Sequence, residues 1–208
     1  MKTVLTITAF LFSFLIGMSQ IVKIGDQQWM SKNLDVAFYR NGDPIPQVTD
    51  PTTWAGLSTG AWCYYNNDST QGTTYGKLYN WYAVNDPRGL APQGWHVPSD
   101  AEWTTLTSTL GGKSVAGGKM KVAGTTRWHT PNEGADNSSG FAGLAGGDRY
   151  YVGTFEDVGY GGGWWSSTEY TEKSVSGGWF RGLGFSYSVV VRYANLKTFG
   201  FSVRCLRD

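Results

Sequence analysis

The chain has 208 residues, with Lys and Arg totalling 17 against 16 for Asp and Glu, a formal net charge of +1. So even a balance supplies no field to hold nucleic acid or an anionic membrane surface. Its 29 glycines are about twice ordinary usage and its ten tryptophans are likewise high, which excludes disorder, because that many rings find burial only in a folded state.

Met1-Lys2, the apolar stretch from Val4 to Ile16 and the small residues Gly17 and Ser19 predict a signal peptide over residues 1–19, so the protein is expected to be exported to the periplasm, the outer cell surface or the medium. The apolar run is shorter than the roughly 20 residues that cross hydrocarbon, so no membrane span is expected after cleavage. Residues 20–208 fall within the size of one domain. Between Gln20 and Leu34, Ile21, Val22, Ile24, Trp29 and Met30 predict two short strands around a Gly25-Asp26 turn. Asn41 to Gly60 reads as a long loop. A short helix is expected over Gly76 to Val84, where Leu78, Trp81 and Tyr82 share a face. Ser99, with Glu102 three residues on, carries a capping-box pattern, and Trp103, Leu106 and Leu110 follow at helical spacing until Gly111-Gly112. That predicts an amphipathic helix over Asp100 to Leu110. Near the end the period changes to two. Phe185, Tyr187, Val189, Val191 and Tyr193 predict one half-buried strand, and Phe199, Phe201, Val203 and Cys205 another with Cys205 facing inward. The expected class is α+β, with one or two short helices, a twisted antiparallel sheet and long glycine- and aromatic-rich loops.

Cys63 and Cys205 are the two cysteines. In an exported chain an even pair without CxxC spacing predicts a disulfide, worth roughly 4 to 5 kcal/mol for so long a loop. Catalytic motifs are missing. His96 and His129 have no partner at ligand spacing, and His96 is expected to bond a nearby backbone group. Glu156-Asp157 is set aside as an acid/base pair, since adjacent strand residues point to opposite faces. The oxygen-rich segments Asn66-Asn67-Asp68, Asp136-Asn137-Ser138 and Glu156-Asp157 lack a diagnostic calcium pattern, so neither metal nor cofactor is expected.

Binding is the remaining chemistry, because aromatic faces stack on the apolar faces of sugar rings. Trp29, Trp62, Trp81, Trp95 and Trp103 lie in patterned elements and are expected in the core. Trp128, Trp164 and Trp179 have polar or glycine neighbours and are the candidates for exposure. Asp148, between Gly147 and Arg149, is the candidate polar contact to a sugar hydroxyl.

Five ordered blocks carry a resemblance: Trp62 to Asp68 (WCYYNND), Tyr75 to Ala83 (YGKLYNWYA), Gly94 to Trp103 (GWHVPSDAEW), Trp165 to Glu169 (WSSTE) and the ending from Gly200 to Asp208. Together they resemble the Fibrobacter succinogenes major paralogous domain family from about Ile21 onward. The resemblance implies the C-type-lectin-like fold shared with formylglycine-generating enzymes, and export. Those oxidases bind copper through a cysteine pair in a stretch comparable to Gly177 to Arg192, which here contains no cysteine; serine cannot replace a thiolate toward copper(I). The expectation is therefore a non-catalytic binding or adhesion module of the cell envelope. Its partner is expected to be an extracellular glycan or a surface protein, held by loops between about Thr125 and Gly163. The alternatives are an oxidase-lineage enzyme and a purely structural envelope component.

Overall fold

The computed structural model describes residues 21–171 and 176–208; the expected signal peptide lies outside the described residues. The chain opens with β1 (Ile21–Ile24) and β2 (Gln27–Met30), the expected hairpin, and continues through α1 (Pro51–Ala55), β3 (Trp62–Cys63), α2 (Ser69–Tyr75), β4 (Leu78–Asn80), α3 (Trp81–Val84) and β5 (Trp95–His96). Two further helices follow, α4 (Asp100–Thr109) and α5 (Lys113–Met120). Then come β6 (Gly146–Arg149), β7 (Phe155–Val158), β8 (Gly161–Tyr170), β9 (Gly177–Gly184), β10 (Val191–Leu196), β11 (Gly200–Phe201) and β12 (Leu206–Arg207). The class is α+β, dominated by strands, with more helices than the composition announces.

The strands form two sheets. One has the order β1-β2-β12-β5, the other β10-β9-β8-β6-β11-β4-β3, with β7 paired to β6. Pairing is antiparallel except for the parallel contact of β6 with β8. The last two strands therefore enter the interiors of different sheets: β11 lies between β6 and β4, and β12 between β2 and β5.

Local chemistry explains the helices. The Ser99 hydroxyl accepts from the Glu102 N–H at 3.3 Å while Glu102 Oε2 accepts from the Ser99 N–H at 2.7 Å, closing the capping box that starts α4. Trp103 and Leu106 then face the core. The helix expected over Gly76 to Val84 shrinks to α3, because Leu78 to Asn80 are taken up as β4, and the Asn80 side chain caps what remains. The sequence pattern misses α5, which carries Gly117 and Gly118 inside it. A Cβ on Gly118 would stand 2.3 Å from the Gly134 carbonyl oxygen, so the helix pays its propensity cost for a close approach to the 130s loop.

The alternation from Phe185 to Tyr193 is not one strand. β9 ends at Gly184, residues 187–190 form a loop, and β10 begins at Val191, leaving Tyr187, Val189 and Tyr193 exposed. Phe199, Phe201, Val203 and Cys205 are buried as expected.

The disulfide expectation fails. Cys63 and Cys205 are free, buried thiols belonging to different core clusters: Cys63 packs with Trp54, Ala61 and Leu78, Cys205 with Trp62, Tyr79 and Val203. Burial pushes both thiols up to about 12, so neither is poised as a nucleophile or soft metal ligand. Cohesion comes from packed rings instead. Trp29 lies 4.7 Å from Trp103 and 5.8 Å from Phe141, and Phe141 lies 5.7 Å from Trp164, in tilted or edge-on pairs.

His96 departs from its expected backbone partner. Its Nδ1 meets Asp208 Oδ1 at 2.8 Å and its Nε2 meets Glu102 Oε1 at 2.9 Å, so the protonated ring donates to a carboxylate from each nitrogen. Burial opposes the charge, but the hydrogen bonds to Asp208 and Glu102 prevail and raise the imidazole pKa. A raised folded-state value stabilises fully below the ordinary value of 6.5 and is lost as pH climbs through the folded one. The stability advantage of the wild type over His96→Gln should accordingly be larger at about pH 5.5 than at about pH 8.5 in thermal unfolding; an equal gap at both would remove His96 as a charged clamp.

Candidate functional site

The hairpin β6–β7 sets one wall of the site. Its register places Asp148 opposite Glu156 and Arg149 opposite Phe155. Arg149 is buried, with its guanidinium 4.3 Å from the Trp54 ring and donating to the carbonyls of Val48 (2.6 Å), Thr49 (2.9 Å) and Gly153 (3.1 Å). Since neighbours on a strand point to opposite faces, anchoring Arg149 inward turns Asp148 outward. There it lines a cleft of about 370 Å³ with Glu156, Asp157, Phe180, Tyr187 and Asn195. Asp157 joins its neighbour on this wall because its φ of 63° lies in the left-handed region and breaks strand alternation. Glu156 and Asp157 therefore both line the cleft and do not point to opposite faces as strand alternation predicts.

The floor is Gly161, Gly162 and Gly163 of β8. A Cβ on Gly163 would meet the Phe201 ring at 2.5 Å; without one, Phe201 stacks beneath the strand, 4.5 Å from Phe180 and 5.6 Å from Phe199 in near-parallel planes. The opposite wall comes from β9, β10 and the loop between them. Phe180 pairs in register with Tyr193, so both face the cleft side of the sheet, and Tyr193 is 64 % exposed. Tyr187 hangs from a loop held by Lys121. That ammonium is buried and donates to the carbonyls of Gly184 (2.8 Å), Tyr187 (2.8 Å) and Glu133 (2.9 Å); burial lowers it to about 8.

Burial first, then the charges of Asp157 and Glu156, push the Asp148 carboxyl up to about 7. Near neutral pH it therefore exists in both forms, able to accept a hydrogen bond as the anion or donate one as the acid. Among the described residues, no group of three His, Cys, Asp or Glu side chains is disposed to hold a metal ion.

Of the four residues singled out in the sequence, the cleft takes Asp148 alone. Trp128 and Trp164 are core side chains at 1 % exposure, donating to Gly143 O (3.0 Å) and Asn33 Oδ1 (2.9 Å), and are not available to a ligand. Trp179 is partly exposed but adjacent to Phe180 on β9, hence on the far face, where Arg192 lies over its ring at 3.5 Å. Of the stretch between about Thr125 and Gly163, where a ligand surface is expected, β6, β7 and the start of β8 line this cleft, and its other wall lies outside that stretch. The sequence reading missed Phe180, Tyr187 and Asn195, which become neighbours only through the β8–β9–β10 pairing. For Asp148 and Glu156 a signal did exist, since Gly147 to Glu156 has the form of a hairpin with polar positions in register.

Among the described residues no helix is long and apolar enough to cross a membrane. No curated protein and no solved structure matches the chain. The profile of the Fibrobacter succinogenes major domain matches residues 22–207, and with nearly all of the described chain inside that match, the protein belongs to this family.

Proposed function

We propose that the chain is an exported, non-catalytic binding module of the C-type-lectin-like class that holds an extracellular glycan in the cleft between the β6–β7 hairpin and strands β8 to β10. The observation that carries this reading is the pairing of a hydrogen-bonding carboxyl, Asp148, with an aromatic wall formed by Phe180 and Tyr187 around one groove. Sugars offer both matching surfaces, hydroxyls for the carboxyl and C–H faces for the rings. The proton-poised Asp148 also suits hydrolysis, which is the second reading. Binding is preferred because Asp148 and Glu156 are registered neighbours on one wall of the groove. Acid/base hydrolysis of a glycoside needs its carboxyls on either side of the bond.

A glycan array tests the proposal. A defined subset of glycans should be retained, and Tyr187→Ala should weaken retention about threefold to tenfold, the worth of one aromatic stack. Absence of retention across the array, or equal retention by the variant, counts against the cleft; release of reducing ends from a retained glycan favours hydrolysis.

A further inference from the structure

The cleft also carries a charge signature. Asp148, Glu156 and Asp157 line it, and no Lys, Arg or His does so among the described residues. Asp148 and Glu156 are direct partners in the β-ladder, an arrangement of like charges that destabilises a hairpin. Among the described residues neither a cation nor a hydrogen bond offsets the repulsion of the ionised pair: burial, Asp157 and Glu156 all act on Asp148 in one direction. Phe180 and Tyr187 line the same cleft, and aromatic rings attract cations. The acid wall and the aromatic wall thus select the same feature from different directions, positive charge mounted on a carbon ring.

We infer that the ligand is an amino sugar with free, protonated amines, its ammonium placed against Asp148 and Glu156 and its ring face on Tyr187. This inference rests on the glycan reading above and narrows it to a cationic class. The occupied state relieves the repulsion along the hairpin that the empty state retains. N-acetylation removes the charge and adds bulk at the same position, so the site discriminates between the two forms of one polymer.

Calorimetric titration at about pH 7, where the Asp148 carboxylate is populated, with the glucosamine tetramer, the N-acetylglucosamine tetramer and the glucose tetramer, and with a chelator present throughout, decides it. The glucosamine tetramer is expected to bind at least about tenfold more tightly than the other two, with a preference that falls as salt is raised from about 0.05 to about 0.5 M. Asp148→Asn should reduce the preference below about threefold. The same variant should unfold at a higher temperature than the wild type above about pH 7, because it removes a carboxylate that is costly to ionise where it stands. That second readout separates loss of the site from loss of the fold. Equal affinity for the three tetramers overturns the cationic inference and leaves the glycan reading in place. Silence from all three tetramers and from the whole array overturns both. Tighter binding of tetralysine than of the glucosamine tetramer overturns the assignment to a sugar.

Discussion

Arg204→Ala is expected to lower the unfolding free energy by about 4 kcal/mol, the range for removing one member of a buried charged network. Arg204 is 1 % exposed, and its guanidinium donates to Asn33 Oδ1 (3.0 and 2.7 Å), Phe141 O (2.6 Å) and Met30 O (3.2 Å). Burial depresses its pKa, the cost of holding a cation that no carboxylate faces. The fold accepts that cost because one planar fork ties β2, the 141 segment and the end of the chain together. Alanine takes a donor from the carbonyls of Phe141 and Met30 and leaves Asn33 Oδ1 with the Trp164 indole, each lost buried bond being worth about 1 to 3 kcal/mol. Lysine cannot span the same acceptors and should recover little of the loss. Urea unfolding of the three proteins provides the measurement, and a loss below about 1 kcal/mol for Arg204→Ala would show that water replaces the fork without penalty.

Trp164→Ala is expected to cost about 4 kcal/mol as well, by the cavity left in the core. Trp164 is buried against Phe141 and donates to the same Asn33 oxygen that Arg204 uses. The two substitutions therefore share an acceptor, and their costs should not add: the double variant is expected to differ from the sum by at least about 0.5 kcal/mol. Additivity within error would argue against a common network. If Trp164→Ala unfolds like the wild type but loses glycan, the ring belongs to the binding surface and not to the core.

That second variant also shows how the sequence misleads. Its glycine neighbours make Trp164 a candidate for exposure, yet a Cβ on Gly162 would come within 2.8 Å of the Trp164 ring itself. Glycine there makes room for a buried indole; it does not signal exposure. Composition cannot separate these cases, because both put a small residue beside a large one. Signals confined to a few consecutive residues were legible: the capping box of α4, the first hairpin and the inward period of Phe199 to Cys205. What depends on distant pairing was not. The cleft walls meet through sheet order, Asp157 turns toward Asp148 through a backbone angle, and α5 hides behind glycines required by a loop some 16 residues away. The two cysteines invited a covalent tie that separate packing clusters do not supply.

The placement of β11 and β12 has a consequence for how the protein folds. Residues 200–207 furnish interior strands to both sheets, pairing with β4 and β6 in one and with β2 and β5 in the other. Every strand that these two pair with precedes them in the chain, so neither sheet is complete until residues 200–207 have joined it. Closing the two sheets therefore depends on contacts between remote positions, a topology that folds slowly.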